Sequence, residues 1–198
     1  LRSSSAASDV YKRQSLSFSE TISKTSSRAS NVVKELTKLA KKEGTNEKVS
    51  VNLAENIQSI LAVYKYKIDN AQIAINIPEN AEIKAVESKL YQLWKNMFMM
   101  ACNNFKEDEN ERIITFDYSS DNDQGIVRFT FNGPQIEKYI VDDIQNITGN
   151  DQNKDTKLNR NLKIARKIVA DIKGEMEIYS APEKNIFTIS IPHNSGKK

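Results

Sequence analysis

The sequence predicts an α/β fold, a two-layer α/β sandwich preceded by a long helix. Three observations predict it. Stretches with apolar residues every three to four positions are interleaved with stretches of strict apolar/polar alternation. Their order is helix, then α-β-α-β-β, a loop, and α-β-β, which suits helices laid on a mixed or antiparallel sheet. And 38% of the 198 residues are hydrophobic, enough for one sizeable core.

Residues 1–18 are rich in Ser and Ala and show no periodicity. They are expected to be disordered, and LRSSSAASDVYKRQ has the look of translated adaptor sequence, so it is set aside. Over 19–44 the pattern becomes helical. Ile22, Ala29 and Leu36 form one series, and Ser26, Val33 and Ala40 a second, with Val32 and Leu39 beside them. A lone helix with one apolar stripe needs a partner. That partner is either a second copy, giving a homodimer, or a helix upstream of Leu1. Gly44 supplies the stop.

The remaining elements follow in order over 45–192. Asn52 with Glu55 reads as a capping box for a helix carrying Leu53, Ile57, Ile60, Leu61, Tyr64 and Ile68. Ile73, Ile75 and Ile77 alternate as a strand ended by Pro78. A short extended piece, 83–86, leads to Ser88 as N-cap of a helix with Leu90, Leu93, Trp94, Met97, Met100 and Ala101 on one side. Strands through Ile114, Phe116, Tyr118 and through Val127, Phe129, Phe131 flank a hairpin link. Asn132–Pro134 is a turn, and 135–156 is expected to be largely a mobile loop. Leu158, Leu162, Ala165, Ile168, Val169 and Ile172 define a last helix stopped by Gly174. A strand pair, with Met176 and Ile178, then Phe187, Ile189 and Ile191, completes the chain before a tail at 193–198.

Composition excludes several functions. No run approaches the roughly 18 apolar residues of a membrane span, so membrane contact is not expected of this segment. Formal net charge is +3, with 10 Lys+Arg and 5 Asp+Glu in residues 1–50. Those cations are scattered rather than massed with aromatics, so no nucleic-acid partner is expected. The one cysteine, Cys102, rules out an internal disulfide and a multi-cysteine metal site, and with the one histidine, His193, some ninety residues away nothing argues for a Cys–His pair or a His-based triad. Cys102 reads as an inert thiol and His193 as an idle tail residue.

Three local stretches carry a family resemblance. KLYQLWKNMFMMACNNF looks like the asparagine box of sensor histidine kinases. KGEMEIYSAPEKNIFTISIP looks like the closing strand pair of their ATPase domain. SRASNVVKELTKLAKK is similar to the end of the dimerisation hairpin. The resemblance spans roughly Thr21 to Pro192 and implies the ATPase fold shared with type II topoisomerases and Hsp90-like chaperones. It also implies ATP and Mg²⁺ as cofactors, a cytoplasmic location for this segment, and a kinase or response regulator as partner.

Set against the family's motifs, most nucleotide positions are replaced. In the asparagine box N-x-x-x-N-A, Asn96 fits the first Asn, but Met100 stands where the Mg²⁺ ligand belongs. A thioether is a poor ligand for that hard cation. In the box D-x-G-x-G, Gly133 is kept, Phe131 replaces the adenine-reading Asp, and Gln135 replaces the second Gly. In G-x-G-x-G, the matching places are Lys157, Asn159 and Asn161, so the phosphate cradle lacks its glycines. Lys157, Arg160 and Lys163 offer positive charge alone. The family's phosphoacceptor histidine belongs to a helix upstream of Leu1.

The expectation is therefore a two-component signalling protein, with no cofactor and no catalytic or metal-binding residue, serving as an interaction or dimer module. Two alternatives stay open. One is an active histidine kinase with a divergent site that still takes ATP and Mg²⁺. The other is a histidine phosphotransfer protein whose His-bearing helix lies outside this sequence.

Overall fold

The computed structural model describes residues 18–19, 22–23, 25–27, 29–30, 33, 46–68, 71–106, 111–121, 124–145 and 157–193. The chain divides into two compact units, Leu1–Lys41 and Lys42–Lys198. In the first, all the described residues are helical, and Phe18, Ile22 and Val33 are largely exposed. Ser26 and Ala29 of the stripe are also helical and exposed, whereas Val32, Leu36, Leu39, Ala40, the stop at Gly44, and the expectations for residues 1–17, 146–156 and 194–198 fall outside the described residues.

The second unit begins with β1 (Val49–Asn52), a strand that the residue pattern does not reveal. It pairs antiparallel with β3 (Glu82–Ala85), the short extended piece, in a two-stranded sheet. Asn52 ends β1 and caps α1 (Leu53–Tyr64): its Oδ1 accepts from the Glu55 N–H at 2.9 Å, and its Nδ2 donates to the Glu79 carbonyl at 2.6 Å. A 3₁₀ turn at Lys65–Lys67 follows.

β2 (Ala71–Asn76) lies at one edge of a five-stranded sheet with β4 (Arg112–Ser120), β5 (Gln124–Phe131), β6 (Glu175–Ala181) and β7 (Lys184–Pro192). The order is β2-β4-β5-β7-β6, parallel between β2 and β4 and antiparallel elsewhere. Between β3 and β4 runs α2 (Glu87–Asn104). Its N-cap is Val86, not the expected Ser88. The Lys89 and Leu90 N–H groups both donate to the Val86 carbonyl, so the first turn forms without a side-chain cap. A second correction concerns 135–156. The expected loop contains α3 (Lys138–Gln145), whose Ile140 and Ile144 are buried four residues apart on one face. α4 (Lys157–Asp171) precedes β6.

Period two places one face of the sheet inward. Ile75, Phe116, Phe129, Phe187 and Ile178 are partners in register across all five strands. Leu90, Leu93, Trp94, Met97 and Phe98 of α2 and Leu162, Ala165, Ile168 and Val169 of α4 are buried with them. The Trp94 and Phe116 rings meet edge to face, which shows α2 seated on this face. Helices cover one side only, so the fold is the expected two-layer sandwich. On the opposite face Asp117, Arg128, Thr188 and Glu177 are partners across four strands. At the end of α4, Lys173 takes a positive φ of 60°, and a Cβ on Gly174 would meet the Ser190 carbonyl oxygen at 2.5 Å. The predicted stop is thus a glycine required by close approach of the β7 backbone. No helix among the described residues is long and apolar enough to cross a membrane.

Candidate functional site

The seven positions singled out in the sequence occupy α2, the β5 end with its following turn, and the first turns of α4. Asn96 and Met100 are one helical turn apart on α2 and are 7% and 0% exposed. Asn96 is hydrogen-bonded within α2. Its Nδ2 donates to the Gln92 carbonyl at 2.7 Å, a bond back to its own helix. Met100 brings no oxygen, and no group of three or more His, Cys, Asp or Glu among the described residues could hold a metal ion.

Phe131 ends β5 and is 1% exposed. Its ring stacks on Phe187, with 6.1 Å between centroids and 11° between planes, and meets Phe105 edge to face at 5.9 Å. Phe129 touches the same two rings, Phe131 and Phe187. The alternation Val127, Phe129, Phe131 dictates this inward position, and burying a ring of this size contributes roughly 1.5–3 kcal/mol.

The turn after Phe131 is held by groups that the sequence reading missed. Gly133 has φ +125°, a backbone that side chains rarely adopt, and its Cα side faces the Phe105 ring. Asn132 ties the turn to the start of β4: its Oδ1 accepts from the Ile113 N–H at 2.7 Å, and its Nδ2 donates to the Glu111 carbonyl at 2.7 Å. Asn104, at the end of α2, donates to the Pro134 carbonyl at 2.8 Å. Asn185, 0% exposed, donates to that carbonyl at 3.1 Å and to the Gly133 carbonyl at 3.5 Å. Its Oδ1 accepts from the Ser180 hydroxyl at 2.6 Å, and the Ser180 oxygen in turn accepts from the Ile136 N–H at 2.8 Å. Gln135 donates through Nε2 to the Ser180 carbonyl at 3.0 Å. The turn's carbonyls and its Ile136 N–H are therefore engaged within the chain.

A signal for Asn185 and Ser180 was present. Stepping back by two from Ile191, Ile189 and Phe187 lands on Asn185, and stepping on from Met176 and Ile178 lands on Ser180. Polar residues on an inward face need partners, and these two supply each other. Asn104 gave no such signal.

In the third motif the positions diverge. Asn159 is buried at 2% exposure, whereas Asn161 is half-buried. Lys163 pairs with Asp143 of α3 at 3.5 Å, so its charge joins two helices. His193 is corrected as well. It is not idle: its Nε2 lies 2.9 Å from the Ser120 Oγ, joining the end of β7 to the end of β4. Cys102 is partly buried, and burial pushes its thiol up to about 12, as expected of an inert thiol.

A five-stranded mixed sheet with α2 and α4 on one face, and the asparagine-bearing α2 beside the β5 turn, is the fold of histidine-kinase catalytic domains. The nucleotide-free catalytic domain of the histidine kinase ThkA is similar with a TM-score of 0.62 and 20% identity, covering 74% of this chain and 96% of that one. Acinetobacter baumannii histidine kinase AdeS is similar with a TM-score of 0.57 and 14% identity, over 83% of this chain and 76% of that one. The histidine kinase domain of the Erythrobacter litoralis blue-light activated histidine kinase gives 0.60 and 13%, over 86% and 82%. At such identities the likeness establishes the fold. No protein-family profile and no curated protein matches this sequence.

Proposed function

We propose that this chain is a two-component signalling protein whose histidine-kinase-like ATPase domain works without nucleotide, as a module that binds a kinase or a response regulator. One observation carries the reading: Phe131, at the place where the resemblance expects the adenine-reading carboxylate, is a core residue stacked on Phe187. A phenyl ring accepts no hydrogen bond from an adenine amino group, and a site built to hydrogen-bond its ligand loses most of its discrimination when that partner is missing. The neighbouring groups support the same reading. Met100 is apolar where Mg²⁺ needs oxygen, Asn96 Nδ2 donates to its own helix, and the Gly133 and Pro134 carbonyls are held by Asn185 and Asn104. This donor set does not fit an adenine nucleotide with its Mg²⁺.

The test is thermal. With ATP and Mg²⁺ at millimolar concentration, the midpoint of unfolding stays where it is without them. A ligand that binds only the folded state must raise the midpoint. A concentration-dependent rise would overturn the proposal and favour an active kinase with a divergent site.

A further inference from the structure

The two edges of the five-stranded sheet differ in how their backbone is satisfied. Along β6 the outward carbonyls of Met176, Ile178 and Ser180 each accept from a side chain: Arg166 Nη1 at 3.2 Å, Gln145 Nε2 at 3.1 Å and Gln135 Nε2 at 3.0 Å. Those alternate residues are the ones through which another strand would pair. This edge is closed. Along β2 no described residue outside β4 bonds to the backbone of Ala71–Asn76. The strand reads AQIAIN, without Pro, Lys or any other charge, the devices by which proteins blunt an edge. Ile73 and Ile75 remain half-buried on the inward face, and Gln72, Ala74 and Asn76 are exposed on the other.

We propose that β2 is an interaction surface for a second copy of this chain, pairing antiparallel with its own counterpart across a twofold axis through Ala74. Three features favour a copy over an unrelated strand. A twofold perpendicular to the sheet keeps each face on its own side, so only positions of equal parity come opposite. Centred on Ala74, this sets Gln72, whose Nε2 donates to Glu111 at 3.4 Å, against Asn76, whose Nδ2 donates to Asp117 at 2.7 Å, and Ile73 against Ile75, with the smallest side chain on the axis. The ends also match in charge. Exposed Lys65 and Lys67 precede β2, outnumbering Asp69, and exposed Glu79 follows it. Antiparallel pairing brings the basic end of each copy towards the acidic end of the other. One strand pair is a small contact, so the association is weak and concentration-dependent. The inference goes beyond the nucleotide-free reading and does not depend on it.

Cross-linking of the full chain in a Cys102→Ala background tests it. Residues opposite each other in an antiparallel pair lie within disulfide range. Ala74→Cys is expected to form a disulfide-linked dimer at least about tenfold faster than Glu177→Cys, an exposed control on β6. A mixture of Gln72→Cys and Asn76→Cys chains is expected to cross-link faster than either alone. Adding Gln72→Glu and Asn76→Glu to the Ala74→Cys chain sets like charges opposite each other, beside Glu111 and Asp117 that cannot neutralise them, and should slow its cross-linking about tenfold. All three positions are solvent-facing, and circular dichroism confirms that each variant is folded. Equal rates for Ala74→Cys and Glu177→Cys would overturn the proposal, since proximity through any other part of the chain serves both. Cross-linking at Ala74 unmoved by the two glutamates would overturn it too.

Discussion

Asn185 lies directly across the ladder from Phe131, and the two finish the inward face of the sheet in opposite ways. Phe131 closes it with a ring stacked on Phe187. Asn185 closes it with an amide that donates to the turn Phe131 leads into and accepts from Ser180 on the next strand. Within one row the chain passes from an aromatic core to a buried polar clasp, and the positions that the kinase resemblance assigns to adenine fall on that boundary.

Phe131 is expected to be structural first. Phe131→Ala should lower unfolding stability by about 3–5 kcal/mol, the usual range for deleting a buried aromatic ring. Phe131→Asp restores the residue type that the resemblance expects. It should be at least as destabilising, because the carboxylate would enter an apolar pocket among Phe105, Phe129 and Phe187. Urea unfolding measures both. In Met100→Asn, Phe131→Asp, no ATP-dependent rise in the thermal midpoint is expected, because Gln135 and the whole of the second glycine motif, Lys157, Asn159 and Asn161, still stand in place of glycines.

The clasp should respond to the chemistry of Asn185 rather than to its volume. Asn185→Leu leaves the Ser180 hydroxyl and the Pro134 carbonyl each short of one partner, and should cost about 1–3 kcal/mol. Asn185→Asp still accepts from Ser180 but brings carboxylate oxygens to the Gly133 and Pro134 carbonyls, so it should be no better than leucine. Ser180→Ala should cost a similar amount, because it takes a partner from both the buried Asn185 Oδ1 and the Ile136 N–H. Urea midpoints rank the three, and an Asn185→Asp chain as stable as the parent would refute the donor role.

Cys102 supplies a pH signature. Its thiol is pushed from 9.0 up to about 12, chiefly by burial, against the pull of Lys67 and Arg112. The folded chain therefore holds this proton to higher pH than the unfolded chain does. Its contribution to stability is complete below pH 9 and is lost as the pH rises from 9 to about 12. Compared with Cys102→Ala, the parent should lose stability more steeply across that window. At pH 8 the folded thiol should also react with a thiol reagent much more slowly than the urea-unfolded chain. Equal alkaline slopes, or a fast-reacting folded thiol, would count against this placement of Cys102.

What the sequence determined by itself is the part governed by local periodicity. Alternation in 112–131 and 184–192 set Phe116, Phe129, Phe131, Phe187 and Ile189 on one inward face. Spacing by three and four put Trp94, Met97 and Met100 on one helix face. Gly174 and the Asn52 cap follow from short-range backbone geometry, and they stand where the residues predicted them. Where a capping residue and a backbone carbonyl competed, as at Ser88 and Val86, local reading was off by two residues. Where the apolar pattern was short, as in α3 and β1, it was not seen, because eight and four residues hold too few repeats to separate from chance. Tertiary structure alone decided how the far-apart polar groups meet. Asn104, Pro134, Ser180 and Asn185 come from four elements, and only the strand register and the packing of α2 bring them together. The two sheet edges were decided in the same way. Gln135, Gln145 and Arg166 look like ordinary surface residues in the sequence, and their role in closing β6 depends on contacts between distant segments, which no local pattern encodes.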